Sequence, residues 1–99
     1  MSFELRFEWD DRKNRQNRRK HGVSFEEAQG VFFDEDALLL TDPDHSDDEE
    51  RFVLLGYGGL ARVLVVCHCY REKDGAIRII SARKAMRAER DQYEGRRRI

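Results

Sequence analysis

Residues 51–82 decide the fold, and they read RFVLLGYGGLARVLVVCHCYREKDGAIRIISA. Three runs rich in β-branched and aromatic residues each have the length of one strand. They cover residues 51–57, 62–70 and 77–82. Gly58 and Gly59 separate the first two runs, and Asp74-Gly75, a pair typical of hairpin turns, separates the last two. The pattern therefore predicts three antiparallel strands connected as a meander.

The residues before this stretch predict one strand and two helices. Phe3 to Trp9 alternates apolar and polar side chains, which is typical of a half-buried strand. Asp10 or Asp11 and Gly22 are the expected caps of a helix. Because that helix carries almost no apolar side chain, we expect it on the surface. Ser24-Phe25-Glu26-Glu27 has the pattern of a capping box and predicts the start of a second helix.

Two further elements complete the prediction. Ala37 to Thr41 is a short strand, and residues 85–94 form a helix with Met86 and Tyr93 facing the core. The order is then β-α-α-β-β-β-β-α. We expect an α+β fold in which a small antiparallel sheet has helices on one face. The chain of 99 residues is expected to form a single domain, residues 1–99.

Composition excludes several classes of protein. No apolar run approaches the roughly 20 residues that a membrane span needs. The N-terminus has no apolar segment typical of a signal peptide. Two cysteines are too few for a disulfide framework, so we expect a protein of the reducing cytoplasm.

Charge is segregated along the chain although the formal net charge is only −1. Residues 34–50 hold nine acidic and no basic side chains, whereas residues 51–99 hold twelve basic and five acidic ones. Fifteen of the nineteen basic residues are arginine, whose planar guanidinium matches a phosphate group. This distribution favours a nucleic-acid partner, and a solvated charged surface is the alternative.

Two patterns resemble metal sites, but neither has the required spacing. The acidic loop at 42–48 alternates like a calcium loop, yet it lacks the glycine and glutamate that such a loop needs at positions six and twelve. Cys67 and Cys69 face one side of a strand and His68 faces the other, so the three cannot chelate one ion. We therefore expect no metal and no cofactor, and we expect the cysteines to pack in the interior.

The first turn of the meander brings one polar cluster together. If the loop at 58–60 is a tight hairpin, His68 lies opposite Glu50 or Arg51, depending on a slip of one residue. A histidine beside a carboxylate and an arginine has the parts for acid–base chemistry on a phosphate. A cross-strand ion pair at the edge of a sheet is the alternative.

The second turn brings a different cluster to the other end of the sheet. If Tyr70 pairs with Ile77, Arg62 lies beside Arg83 and Lys84. Several cations in one place can hold a phosphate and stabilise the charge that develops on it. Which end of the sheet holds an active site stays open at this point.

Five blocks of the sequence resemble, in the same order, the BrnT toxins of type II toxin–antitoxin systems. They are Phe7-Glu8-Trp9-Asp10, Lys20-His21-Gly22-Val23-Ser24-Phe25-Glu26-Glu27-Ala28, Asp42-Pro43-Asp44-His45-Ser46, Glu49-Glu50-Arg51-Phe52 and Ile77-Arg78-Ile79-Ile80-Ser81-Ala82-Arg83-Lys84-Ala85. Together the blocks cover about residues 3–94. Each block alone is a weak signal, and the five in order are specific.

The resemblance implies a ribonuclease with a fold similar to the RelE toxins. It implies a metal-independent endoribonuclease that blocks translation by cutting RNA, and a cognate antitoxin that inhibits it. That antitoxin is expected to be a ribbon-helix-helix dimer that forms a heterotetramer with the toxin. The toxin is expected to contact operator DNA only through the antitoxin. Arg62 and Arg83 match two arginines that RelE-like toxins place at the start of a central strand and at the end of the last one.

The expected reaction is attack of a ribose 2′-OH on the adjacent phosphate, which leaves a 2′,3′-cyclic phosphate and a 5′-OH. The catalytic candidates are Glu50 or His68 as base or acid, with Arg51 and Arg83 stabilising the phosphorane. The RNA-binding candidates are Lys20, His21, Arg62, Lys84 and Arg87. The alternative is a non-catalytic module that binds nucleic acid or protein, such as an inactive toxin homologue acting as a co-repressor. Contact between Glu50 and His68 would favour the enzyme, and their separation would favour the binding module.

Overall fold

The computed structural model describes residues 4–41 and 50–97 of the chain. The elements in these ranges are β1 (Phe7–Glu8), α1 (Asp11–His21), α2 (Phe25–Gln29), a 3₁₀ helix (Gly30–Phe33), β2 (Leu38–Thr41), β3 (Phe52–Tyr57), β4 (Val63–Tyr70), β5 (Ile77–Lys84) and α3 (Arg87–Arg97). The 3₁₀ helix was not predicted, and the predicted loop at 42–48 lies outside the described residues. Within the described ranges, no helix has both the length and the apolar character needed to cross a membrane.

The five strands form one mixed sheet, so the expectation of a purely antiparallel sheet was wrong. The strand order is β1-β5-β4-β3-β2, and β1 runs parallel to β5 through the pairs Phe7–Ile77 and Glu8–Arg78. The other neighbouring strands are antiparallel. The predicted strand from Phe3 to Trp9 was also too long, because β1 spans two residues. Local alternation identifies a strand, but it does not identify the partner of that strand.

Helices pack on both faces of the sheet, so the expectation of one covered face was also wrong. On one face α2 and the 3₁₀ helix bury Phe25 and Val31 in a core with Leu64. On the other face α3 buries Tyr93 in a second core with Val65. Leu64 and Val65 are neighbours on β4, and both are buried although they point to opposite faces. A near-continuous apolar run of this kind is typical of a strand covered on both sides.

Helix α1 begins and ends where its predicted caps place it. The Asp10 carboxylate accepts a hydrogen bond of 3.1 Å from the Lys13 N–H. At the other end Gly22 adopts φ 69°, a left-handed conformation that glycine takes without a steric penalty. These local interactions confirm the predicted boundaries of the helix.

Two asparagines attach α1 to the rest of the fold in place of an apolar face. The Asn17 amide donates to the carbonyls of Val23 (2.8 Å) and Ala82 (2.7 Å), and its oxygen accepts from the Ala82 N–H (3.2 Å). The Asn14 oxygen accepts from the Phe25 N–H at 2.9 Å. Because β1 pairs only with the start of β5, the later edge of β5 is open to α1, and Asn17 satisfies its backbone there.

The first hairpin has a longer loop than we expected, which shifts the register of β3 and β4. The strands separate after the pair Tyr57–Val63, so the loop spans 58–62, and Ala61 adopts φ 57° in it. His68 therefore lies opposite Phe52. The predicted pairing of His68 with Glu50 or Arg51 was wrong, because it assumed a tighter turn.

The second hairpin confirms the predicted pairing of Tyr70 with Ile77. Further along, His68 pairs with Ile79 and Cys67 pairs with Ser81, so Ile80 is an extra residue on β5. This β-bulge interrupts the strict alternation of side chains along β5.

The C-terminal helix begins two residues later than predicted. The Glu89 carboxylate accepts from the Met86 N–H at 2.8 Å, directly before α3 starts at Arg87. Met86 is 65% exposed, so the prediction that it faces the core was wrong. Tyr93 is fully buried, as predicted.

Candidate nucleic-acid interface

An open groove lies between α1 and residues of β4 and β5 that face away from α2. It consists of two adjoining concavities of about 620 and 400 Å³, which share Lys13, Arg51 and Ile80. We call it the cationic groove. Its acidic, basic and histidine side chains are Glu8, Lys13, Lys20, His21, Arg51, Arg71 and Arg78.

Two local features of the backbone direct side chains into the cationic groove. Lys13, Gln16 and Lys20 are spaced three and four residues apart on α1, so they lie on one flank of the helix. The bulge in β5 turns Ile80 and Ser81 toward the same side of the sheet, where both line the groove. Bulges often re-aim side chains in this way beside functional sites.

The groove carries an excess of positive charge. Among the described residues that line it are five lysines or arginines and a single carboxylate, Glu8. Glu8 lies 2.8 Å from the Arg71 guanidinium and 3.5 Å from that of Arg78. The hydrogen bond to Glu8 raises the pKa of Arg71 above its ordinary value. A concave surface with this balance of charge attracts a polyanion.

Three of the predicted site residues come together in this groove. Arg51 lines both concavities, and Lys20 and His21 line the smaller one with it. The sequence had assigned Arg51 to catalysis and the other two to RNA binding. The structure therefore places one catalytic candidate next to two binding candidates that are 30 or more residues away in sequence.

His68 lies on the other face of the sheet and is fully buried. Its ring contacts Phe32, with the ring centroids 4.8 Å apart, and Phe52 and Tyr70 also surround it. Its Nδ1 lies 3.3 Å from the Val66 carbonyl oxygen, and its Nε2 lies 3.1 Å from the Tyr70 hydroxyl. Neither partner is Glu50, which is exposed just before β3. The structure does not bring these two acid–base candidates into hydrogen-bond contact, which is the arrangement expected of a binding module.

The buried ring makes the stability of the fold depend on pH. Burial lowers the pKa of His68 below its ordinary value of 6.5, so the unfolded chain binds a proton more readily than the folded chain does. Stability should therefore fall as pH drops below about 6.5, by up to about 1.4 kcal/mol per pH unit. We expect His68→Gln to remove this dependence of the unfolding free energy on pH, and we expect the control His21→Gln to retain it. Urea unfolding at pH 7.5 and 5.0 measures both variants. Equal slopes in wild type and His68→Gln would contradict the prediction.

Arg62 is partly exposed, and its guanidinium is bound by a buried carboxylate. Its Nε and Nη2 donate to the two carboxylate oxygens of Glu27 at 2.6 and 2.7 Å, and Nη2 also donates to the Gly22 carbonyl at 2.8 Å. The hydrogen bond with Glu27 raises the pKa of Arg62. This pair connects the loop before β4 to α2, so the guanidinium that the sequence assigned to RNA already has three acceptors.

Arg62→Ala should therefore destabilise the protein. The substitution leaves the Glu27 carboxylate, whose side chain is 4% exposed, buried without its partner. Because Arg62 itself is partly exposed, we expect a loss of about 2 kcal/mol, below the range for a fully buried pair. Arg71→Ala, which breaks the more exposed pair with Glu8, is the matched control and should cost less than about 1 kcal/mol. Urea unfolding of both variants measures the difference, and similar losses would contradict it.

Arg83, the other predicted arginine at this end of the sheet, also contacts a carboxylate of the chain. Arg83 donates two hydrogen bonds to Glu89, at 2.8 and 2.9 Å, which raise the pKa of the guanidinium and lower that of the carboxyl. Lys84 and Arg87 are exposed. Arg62 and Arg83 thus contact different carboxylates of the chain, so each guanidinium already has an anionic partner.

Comparisons with known proteins show the family and support the fold. Residues 9–89 match the family described as the ribonuclease toxin BrnT of type II toxin–antitoxin systems. The chain belongs to the BrnT family. A comparison with curated proteins gives no match.

The fold is similar to that of a solved BrnT protein. The 1.1 Å crystal structure of the Brucella abortus ribonuclease toxin BrnT superimposes with a TM-score of 0.62 at 22% sequence identity. The match covers 85% of this chain and 100% of the Brucella chain. At this identity the likeness concerns the fold, so it supports an α+β BrnT architecture with three helices and a five-stranded mixed sheet.

Several groove residues of this BrnT-family chain were missed from the sequence. Lys13 was hidden in a helix that is basic on all sides, and Glu8 and Arg71 gave no local signal. Arg78 could have been found, because the pairing of Tyr70 with Ile77 places it opposite Cys69. That register put Arg78 on the same face as the cysteines.

The two thiols lie close to the cationic groove. Cys69 is buried and lines the groove, and Cys67, two residues earlier on β4, is half-buried. Neither forms a disulfide. Within the part of the chain that the structure describes, no three His, Cys, Asp or Glu side chains are grouped so as to hold a metal ion.

Proposed function

We propose that this protein is a metal-independent endoribonuclease toxin that cuts cellular RNA in the cytoplasm and thereby inhibits translation. Membership of the BrnT family supports a ribonuclease, and the observation that carries the proposal is the cationic groove. In it Arg51 lies with Lys20 and His21 in one concavity and with Arg71 and Arg78 in the other.

The groove suits a single RNA strand. Its lysines and arginines can contact successive phosphates, which dominate the affinity of proteins for nucleic acids. Tyr70 lines the groove, but its ring packs against His68 and Phe52 on the other face of the sheet. The groove therefore contacts a strand mainly through the backbone of the RNA, which tolerates many sequences.

In the proposed reaction His21 takes the proton from a ribose 2′-OH. The 2′ oxygen then bonds to the adjacent phosphorus, and the bond from phosphorus to the 5′ oxygen breaks. The leaving 5′ oxygen takes a proton from water in the open groove, and the hydroxide that remains takes the proton from His21, which gives a 2′,3′-cyclic phosphate, a 5′-OH and a neutral histidine. A histidine suits this role because imidazole exchanges protons near neutral pH.

Arg51 and Lys20 supply the positive charge that the reaction needs. The phosphodiester already carries one negative charge, attack by the 2′ oxygen adds a second to the phosphorane oxygens, and preorganised cations stabilise this added charge. Because the protein provides these cations, the proposal requires no metal ion. Arg51 keeps the catalytic role assigned from the sequence, and His21 takes the role of base from Glu50 and His68.

The other catalytic candidates have weaker support. His68 is fully buried and does not reach RNA, and its ring contacts the Tyr70 hydroxyl on the face of the sheet opposite the groove. Arg83 would have to leave Glu89 before it could bind a phosphate. Glu50 is exposed one residue before Arg51 and would act only on a strand that extends beyond the groove.

A cognate antitoxin is the second part of the proposal. The family is one of type II toxin–antitoxin systems, in which the toxin has a protein partner. We propose that the antitoxin is a ribbon-helix-helix dimer that binds two toxins to form a heterotetramer. It blocks the cationic groove, and in this complex only the antitoxin contacts operator DNA.

The test is incubation of purified protein with end-labelled RNA in excess chelator. We expect cleavage to persist with products that end in a cyclic phosphate, because the groove supplies its own cations. Arg51→Ala in the same buffer is the control for a contaminating nuclease. Loss of cleavage in chelator that a divalent ion restores would contradict the mechanism.

A non-catalytic RNA-binding module is the second candidate function. The observation that favours it is the separation of buried His68 from exposed Glu50. Tight binding of RNA in the same experiment without any cleavage would support this candidate over the enzyme.

A further inference from the structure

The outer face of α1 is a cationic surface that the proposed reaction does not use. Arg12, Arg15 and Arg19 are all exposed there. Elsewhere Arg6, Arg62, Arg71, Arg78 and Arg83 each contact a carboxylate of the chain itself. Within residues 4–41 and 50–97, no carboxylate lies within salt-bridge distance of the three α1 arginines. We call these three residues the α1 outer face.

The stability of the helix does not account for this surface. Cations stabilise the last turn of a helix and destabilise the first, because of the helix dipole. Of the three arginines, Arg19 lies in the last turn, where a cation is favourable, but Arg12 lies in the first turn, where it is unfavourable, and Arg15 lies in the second. The helix contains six lysines and arginines and a single acidic residue, Asp11, so repulsion among them opposes helix formation. The clustered cations therefore raise the free energy of the helix, and a bound anion would offset this increase.

The α1 outer face is continuous with the cationic groove. Lys13, Gln16 and Lys20 line the groove, and each directly follows one of the three outer-face arginines in sequence. At about 100° per residue, the arginines lie on the strip of helix next to this flank. A strand that leaves the groove past Lys20 or Lys13 thus meets the outer face without a gap, along about 10 Å of helix.

We infer that the α1 outer face binds the backbone of the RNA strand next to the cut, so that the preferred substrate is single-stranded RNA long enough to cross α1. The inference rests on the proposed function. Arginine matches phosphate, and the surface continues a groove already suited to RNA. An acidic protein surface is the alternative partner. Protein interfaces contain apolar or aromatic anchors, and α1 has no apolar residue to supply one.

The test compares two substrate lengths in two matched variants. Arg12, Arg15 and Arg19 are all changed to glutamine in one variant and all to lysine in the other. The helix propensities of the three residue types are similar, and circular dichroism confirms that both variants fold. The substrates are a labelled dinucleotide, which fits in the groove alone, and a labelled single strand of about 20 nucleotides. Surfaces that bind single strands hold about 4 to 16 nucleotides per site, so an RNA of about 20 nucleotides is long enough to fill the groove and cross α1.

We expect the glutamine variant to lose about tenfold or more in kcat/KM on the long RNA, with KM rising. It should cleave the dinucleotide as wild type does. The lysine variant should retain activity on both substrates, since it keeps the charge. The slope of log affinity against log salt for the long RNA should fall by about 2 in the glutamine variant, as three phosphate contacts are lost.

Four outcomes would overturn the inference or separate it from the proposed function. Wild-type cleavage of the long RNA by the glutamine variant overturns it, as does equal loss on both substrates. Unchanged cleavage combined with loss of inhibition by the antitoxin would instead make the α1 outer face a protein-binding surface. If wild type cleaves nothing, the proposed function fails, and the affinity of each variant for the long RNA still tests the inference.

Discussion

Replacing Arg51 by alanine should lower the rate of RNA cleavage at saturating substrate by about 100-fold or more. Arg51 is common to both concavities of the groove, so the scissile phosphate can reach it from either side. A loss of this size is typical when one group that stabilises charge in the transition state is removed. Because other cations still hold the strand, KM should rise much less than kcat falls. Single-turnover cleavage of labelled RNA measures the two effects separately.

Two variants make this result specific to the guanidinium of Arg51. Arg51→Lys keeps the charge but loses the planar fork, so it should recover part of the rate. Arg6→Ala removes an arginine that is 61% exposed and does not line the groove, and it should cleave as wild type does. Wild-type cleavage by Arg51→Ala would show that the chemistry occurs outside the groove.

The helix boundaries could be predicted because local interactions set them. Asp10 and Gly22 cap α1 through bonds that span four residues or fewer. Ser24 likewise accepts from the Glu27 N–H at 3.0 Å, as its capping pattern predicts. The other half of that pattern failed, because the Glu27 carboxylate binds Arg62, which is 35 residues further along the chain. No local pattern contains that contact.

The candidate site was harder to predict because it depends on register and on docking. A loop at 58–62 instead of a tight turn moved His68 away from Glu50 and Arg51, since a short slip changes every cross-strand neighbour. Lys20 and His21 reach Arg51 only because α1 docks on the edge of β5. The sequence identified some of the residues proposed to carry the chemistry. Long-range contacts determine which of these residues lie together in the fold.

Asn17→Ala should destabilise the protein by about 3 kcal/mol, the largest loss of stability that we expect from one substitution outside the apolar cores. The change removes three buried hydrogen bonds and leaves the backbone groups of Val23 and Ala82 without this partner. Alanine is the better helix former, but this gain is below about 1 kcal/mol and offsets little. Urea unfolding monitored by circular dichroism measures the loss.

The same substitution should also impair the groove, because Asn17 fixes the position of the helix that carries Lys20 and His21. RNA cleavage under conditions where Asn17→Ala is still folded should therefore fall, while the α3 face around Tyr93 keeps its near-ultraviolet signal. Gln16→Ala is the matched control: its side chain is exposed on the same helix, and its stability should stay within about 0.5 kcal/mol of wild type. A loss in Asn17→Ala no larger than that of Gln16→Ala would show that apolar contacts, and not these amide bonds, hold α1 against the sheet.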